Sequence, residues 1–296
     1  ARANARASGR RRIPRSELAE LRQRIDRIDG ELLRLLNERT TIAREIGVIK
    51  SRDCLPIYSP GRERMLLRNL ADRSEGPLRP EAIRAIYREI MSAALAVEKD
   101  VAIACVGPLG SPAYQAAHGK FGSSVRYLFS AEVAGVFEEV ACDRADCGVV
   151  PLEDPDHGPV NQTLDALGET DLSICAEIVP DSPSEDSRST ARYLVLGRQA
   201  NPPSGHDQTM LMLRIEDKPG ALVSALEPFK EHGINLHHFA TRPASKGSED
   251  IFFFVEADRH IRDLQINDLF RELSKSCRAI KVLGSYPKRD EPDPVE

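Results

Sequence analysis

Between residues 16 and 52, apolar side chains return at steps of three and four: Leu18, Leu21, Ile25, Ile28, Leu32, Leu35, Ile42, Ile46 and Ile49. That period predicts one long helix, with no proline inside it and only Gly30 and Gly47 to weaken it. At 1.5 Å per residue such a helix reaches about 55 Å, longer than a small domain is wide, so its seam predicts a partner chain. The seam is broken at Arg39. Lys50 follows eleven residues later, about 20° round the helix, and shares that face, whereas Arg22 lies about 100° away on a neighbouring one. A guanidinium among apolar neighbours is costly unless an anion meets it there. Two readings are open: a polar seam position that sets register beside a snorkelling lysine, or the floor of an anion-binding pocket.

The pattern then shortens. Pro56 ends the first helix, Ser59 is a candidate cap for a second with Pro60 in its first turn, and Arg62, Glu63 and Arg64 follow. After the Gly76-Pro77 and Pro80 breaks, Ile83, Tyr87, Met91, Ala94 and Glu98 form one stripe of a third helix, with a carboxyl at its end. From Val101 to Gly197 the pattern becomes α/β. VAIACVG, CGVVPLE, DLSICAEIV and ARYLVLG read as short buried strands, and the turn Gly107-Pro108-Leu109-Gly110-Ser111 opens a helix near Pro112. A glycine turn of that kind can hold an anion on backbone N–H groups, but alone it is a weak signal. Residues 180–187, rich in Ser, Pro and acid, have linker composition. From Thr209 onward the order is β-α-β-β-α-β, a ferredoxin-like unit.

Composition changes this picture little. The chain has 296 residues, 29% charged and 41% hydrophobic, which suits a soluble protein of two or three domains. A net charge of −5 argues against bulk affinity for nucleic acid or an anionic membrane. No apolar run is long enough to span a bilayer, and the expected compartment is the cytoplasm. Cys54, Cys105, Cys142, Cys147, Cys175 and Cys277 show no CxxC spacing and read as reduced thiols. His237 and His238 look like a metal pair, but adjacent strand residues face opposite ways, so no metal is expected. Residues 1–15 hold six arginines and no acid and read as a solvated tail; a remnant targeting segment or an RNA-binding arm is the other reading.

LRQRIDRIDGELLRLLNER, IGVIK, Y-x-P-x-RER and IYREIMSA, closed by Glu98, together resemble the all-helical chorismate mutases. That resemblance implies a pocket lined by Arg22, Arg39, Lys50, Arg62, Glu63 and Glu98, acting on chorismate to give prephenate without a cofactor. It implies further that Arg22 and Arg39 clamp the two carboxylates, that Lys50 and a protonated Glu98 donate to the breaking ether oxygen, and that Glu63 holds the ring hydroxyl. Arg62 would support the pocket. Arg22, off the Arg39 face, is expected in the partner subunit's site, within a homodimer. Ser59 and Ala94 stand where the family often has Asp and Ser or Cys, and each would remove a contact worth about 1 kcal/mol.

The GPxGS turn, ADxGVVPLE, the G-x-V-N-Q-TLD-L run and RYLVLG resemble the prephenate dehydratase domain, a periplasmic-binding-protein-like pair of α/β lobes with the site in the cleft. Here no second lobe stands between Val179 and Ala191, and the Thr-Arg-Phe and Glu-Asn-Ser motifs read Ala191-Arg192-Tyr193 and Glu153-Asp154-Pro155. Thr190 is a neighbour on the opposite strand face. The implied activity of this part is therefore lost, although a fully bifunctional enzyme making phenylpyruvate is the alternative. The last part resembles the ACT regulatory domain, whose phenylalanine site would use Gly220, Ala221, Leu222 and Val223 after Pro219, and Thr241, Arg242 and Pro243. Ala240 replaces that site's acid, so phenylalanine is expected to bind weakly or not at all.

The expectation is thus a multidomain chain: a disordered basic tail (1–15), an all-α mutase domain (16–99), a truncated α/β lobe (101–199), an α+β ferredoxin-like ACT domain (207–288) and a tail (289–296). A non-catalytic regulator that senses an aromatic compound is the competing functional class.

Overall fold

The computed structural model describes residues 15–53, 55–180, 191–243 and 250–289. Expectations for the Arg-rich start, Cys54, Thr190, most of the 180–187 bridge and the last residues lie outside them. Helix α1 runs Arg15–Arg52, α2 Pro60–Asp72 and α3 Pro80–Glu98, with proline in the first turn of the last two, where its missing N–H costs nothing. Ser59 occupies the N-cap position of α2, but at ψ 88° its side chain makes no capping bond; only its carbonyl accepts, from the Glu63 N–H at 3.1 Å.

Only the last third of α1 packs within the chain. Ala43 and Gly47 are buried, and a Cβ on Gly47 would lie 3.0 Å from Cα and Cβ of Glu98. The glycine that weakens the helix therefore allows α1 and α3 to close at that point. The apolar seam stays open: Ile25 and Ile28 are each 56% exposed, and Leu18, Leu21, Leu32, Leu35, Ile42, Ile46 and Ile49 are exposed with them. Arg39 and Lys50, half-buried, sit where the open seam and the packed small-residue stripe meet.

The middle of the chain folds as β1 (Ala102–Val106), α4 (Pro112–Phe121), β2 (Arg126–Ser130), α5 (Val133–Ala141), β3 (Cys147–Asp154), β4 (Gly158–Pro159), α6 (Asn161–Glu169), β5 (Ser173–Ile178) and β6 (Arg192–Gly197). Its sheet has the order β2-β1-β3-β6-β5, parallel among the first three and antiparallel at β6 and β5; β4 pairs with β3. Strands β2 and β4 were not expected from the sequence. Both lie at the margin of the sheet, where a strand needs little apolar pattern. Successive residues of the inner strands bury on opposite faces: Ile103, Cys105, Val149 and Val195 with α4, Ala104, Val150, Leu194 and Leu196 with α5 and α6.

The last part is β7 (Asp207–Glu216), α7 (Ala221–Glu231), β8 (Leu236–Pro243), β9 (Asp250–Asp258), α8 (Leu264–Ser276) and β10 (Ala279–Pro287), an antiparallel sheet of order β10-β7-β9-β8. Leu211, Leu213 and Ile215 of β7 face helices α7 and α8. Met210 and Met212 face the other way, into one core with Leu164, Leu167, Phe254, Leu283 and Tyr286. The unbroken apolar run in β7 thus reflects burial on both faces, and lobe and ferredoxin-like module share a core. Lys281 of β10 adds two bonds, donating to the carbonyls of Gly168 (2.8 Å) and Thr170 (2.5 Å) at the C-terminal end of α6. Among the described residues no helix is long and apolar enough to cross a membrane.

Strand β10 also presses on β5. A Cβ on Gly284 would strike the backbone oxygen of Ile174 and, at 2.5 Å, its nitrogen, and backbone cannot step aside as a side-chain tip can. Gly284→Ala is expected to force the two sheets apart at a cost of about 2 kcal/mol, seen as a melting point lower by several degrees in scanning calorimetry. An unchanged melting point would show that this contact does not constrain the pair.

Candidate active site

The end of α1, the turn after it and the end of α3 bring two of the expected residues into contact. Lys50 Nζ donates to Glu98 Oε2 at 3.0 Å and to the carbonyl of Ile57 at 2.9 Å. Both side chains are largely buried, so the pair is held by its neighbours as well as by charge. A cavity of about 420 Å³ lies beside them, between the helices and the strand ends of the lobe. Lys50, Glu98 and Tyr58 line it from the helical side, Cys147, Cys175 and Asn201 from the lobe. Other charges on its wall are paired, Lys99 with Asp146 at 2.7 Å and Arg198 with Asp143. Burial, then the nearby Glu63 carboxylate, holds the Tyr58 phenol well above its ordinary range.

None of the other predicted mutase residues lines this cavity. Arg39 is half-buried and has no hydrogen-bond or ion-pair partner among the described residues, an available cation beside the open seam. Ala94 is buried and Ser59 half-buried, while Arg62 is exposed. Glu63 lies on α2 and pairs through Oε2 with Lys120 Nζ of α4 at 3.2 Å, a contact the sequence reading missed. Nothing in the sequence signals it, since the two residues sit in different modules. Arg22 is exposed on α1, about 25 Å along the axis from Arg39 at 1.5 Å per residue, so it cannot reach the Arg39 face of its own chain.

At the motif positions of the lobe the chemistry is different. Arg192 Nε donates to Glu177 at 2.5 Å and its Nη2 to both oxygens of Glu256 at 2.7 and 2.9 Å, with Glu153 at 3.5 Å from Nη1. Burial opposes the charge of Arg192, but Glu256 and Glu177 outweigh it and raise its pKa. The Tyr286 hydroxyl donates to Glu256 at 3.0 Å, and Ala191 supplies no hydroxyl beside the guanidinium.

In the ferredoxin-like module, Gly220 opens α7 at φ +83°, followed by Ala221, Leu222 and an exposed Val223. Thr241 and Pro243 are exposed on β8, but Arg242 is bound to Asp165 of α6, at 2.9 Å from Nε and 2.5 Å from Nη2. His237 Nε2 lies 2.5 Å from Asp258 Oδ1, and among the described residues no three His, Cys, Asp or Glu side chains gather as a metal site.

Fold and site together define a class: a three-helix mutase unit joined to a dehydratase-type α/β lobe and an ACT module. The family profiles agree, with chorismate mutase type II matching residues 21–99, prephenate dehydratase 103–181 and the ACT domain 209–274. The bifunctional chorismate mutase/prephenate dehydratase of Aquifex aeolicus is 35% identical, covering 92% of this chain and 98% of its own length; that of Pseudomonas aeruginosa is 29% identical with the same coverage. The prephenate dehydratase structure from Streptococcus mutans superposes with a TM-score of 0.54 at 26% identity, covering 63% of this chain and 97% of that one. The chain belongs to the bifunctional chorismate mutase/prephenate dehydratase family and is an enzyme of phenylalanine biosynthesis. The alignment to the Aquifex relative spans 355 positions against the 296 residues here, so a segment of that relative has no counterpart in this chain.

Proposed function

We propose that this chain works as a chorismate mutase, that its dehydratase-type lobe is inactive, and that its site is completed by a second copy of the chain. The observation that carries the reading is the buried Lys50–Glu98 contact, with Arg39 unpaired among the described residues three turns back along the same helix. Rearrangement of chorismate is intramolecular, so the protein has only to fix a compact conformer and to place donors where charge gathers. Arg39 would take one carboxylate, and Arg22 of the partner subunit the other, in the fork geometry that suits arginine. Lys50 would donate to the ether oxygen with Glu98 beside it, and Glu63 would hold the ring hydroxyl. Arg62, Ser59 and Ala94 would border the site.

The exposed seam supports the second copy. Nine Leu and Ile side chains near half exposure would contribute on the order of 10 kcal/mol per copy if covered, enough to offset the cost of association. We propose a cytoplasmic homodimer that needs no cofactor, with the mutase domain at 16–99, the lobe at 101–199 and the ACT domain at 207–288.

Inactivity of the lobe rests on three observations. The bridge of residues 179–191 is too short to carry a second lobe, Ala191 stands where the dehydrating hydroxyl is expected, and Arg192 is surrounded by three glutamates. Weak regulation by phenylalanine rests on Ala240 and on Arg242, which is held by Asp165.

Three expectations follow from these roles. Chorismate decay, followed by absorbance, is expected to fall at least about 100-fold in Arg39→Ala and in Lys50→Ala, while Glu98→Gln, a permanent neutral donor, keeps most of the turnover. A folded Arg39→Ala with wild-type turnover would remove the pocket assignment and favour a non-catalytic regulator. Purified chain given prephenate is expected to form no phenylpyruvate; clear formation would restore the bifunctional reading. Calorimetry is expected to show no micromolar binding of phenylalanine, and a micromolar isotherm would count against the role given to Arg242 and Ala240.

A further inference from the structure

Helix α2, which carries Arg62 and Glu63, makes little contact of its own with α1. It packs on α3 and is held from outside the helical unit as well. Arg64 donates to the Pro287 carbonyl of β10 at 3.1 Å, and Gly61 lies so close to Ser204 that an added Cβ would meet the serine Cβ at 3.1 Å. The third hold is the Glu63–Lys120 pair, with side-chain exposures of 14% and 26%. The residue after Lys120 is Phe121, whose ring meets that of Tyr58 edge-on at 4.9 Å. Tyr58 in turn follows Ile57, whose carbonyl receives the Lys50 ammonium. The last turn of α4 therefore touches the mutase site twice, once through Glu63 and once through the Ile57–Tyr58 segment.

Other contacts make that turn a firm support. Glu89 of α3 accepts from the Ser123 N–H at 3.0 Å and from its hydroxyl at 2.7 Å, and buried Ser92 accepts from the Ser124 N–H at 3.0 Å. Mutase helix and lobe are thus bonded just beyond Lys120 as well. Its ammonium binds one oxygen of Glu63, and a carboxylate has a second.

From this geometry we infer that Lys120, a residue of the dehydratase-type lobe, is a positioning residue for the mutase reaction, fixing Glu63 so that its other oxygen meets the ring hydroxyl of chorismate. This rests on the reading that Glu63 faces the substrate. It assigns the shortened lobe a function that does not require a dehydratase cleft: it supplies one side of the frame of the mutase site. A contact to the ring hydroxyl is made in ground state and transition state alike, so its loss falls on KM rather than kcat.

The test uses the full-length chain. Lys120→Met is expected to raise KM for chorismate roughly 5-fold or more with kcat within about 2-fold, and Lys120→Arg to restore most of the loss. In a Glu63→Gln background, Lys120→Met is expected to add less than about 2-fold, because Lys120 acts only through the carboxylate. Wild-type KM in folded Lys120→Met, or a penalty that multiplies in full on top of Glu63→Gln, overturns the inference while leaving the mutase reading in place. If Lys120→Met fails to fold, the same cycle with Lys120→Gln decides by the same criteria. A wild-type chain that neither consumes chorismate nor binds prephenate in calorimetry overturns the mutase reading and this inference together.

Discussion

The packing of the lobe against the ferredoxin-like module turns on one guanidinium. Arg192 of β6 gathers Glu153 from β3, Glu177 from β5 and Glu256 from β9, and Glu256 also receives the Tyr286 hydroxyl from β10. Two sheets meet at this point, and a single cation answers three carboxylates there. A buried network of this kind contributes little net stability, because desolvation cancels most of the attraction, yet removing its centre leaves unpaired charge at a cost of several kcal/mol. Its effect is on geometry. Arg192 ties β9 to the lobe beside the apolar contacts of Met210, Met212 and Phe254 with Leu164 and Leu167.

That placement carries through to the helical unit. Strand β10 ends at Pro287, where Arg64 of α2 is attached, and α4 of the lobe ends at the Lys120–Phe121 pair that meets Glu63 and Tyr58. The helix bearing Glu63 therefore takes its position from α3, the lobe and the ACT module together. Stiff coupling of this sort transmits small displacements, since packed interiors resist compression. It also explains why α2 needs so little contact with α1, whose small-residue stripe is engaged with α3 and whose large apolar residues face outward.

Much of the fold was legible in the sequence because each part buries a repeating pattern. The 3.6-residue period of α1 and the alternation of the inner strands are direct consequences of one or two covered faces. The limits were equally physical. The seam residues were read as a face for a partner chain and are exposed within this one, but the residues that make the intrachain contact, Ala43 and Gly47, carry almost no hydrophobic signal. Strand β2, Arg-Tyr-Leu-Phe-Ser, is only five residues long and lies at a sheet edge, too short a run to stand out. The site was half legible. Lys50 and Glu98, which the family resemblance placed together, are in contact, but Lys120 and the three partners of Arg192 are contacts between distant segments, which no local pattern encodes.

The sheet of the lobe accepts connections of very different length between β5 and β6. Strands β5 and β6 are antiparallel neighbours, and Ile178 at the end of one pairs with Tyr193 near the start of the other. The chain leaves and re-enters the sheet at adjacent points. Any connection, a short bridge or an entire second lobe, meets the same boundary condition there. Because loop-closure entropy grows only logarithmically with length, exchanging one for the other costs little, and the β3-β6-β5 register is untouched. What cannot survive the exchange is a cleft between two lobes. In this sheet the glutamates of β3, β5 and β9 occupy the donors of Arg192.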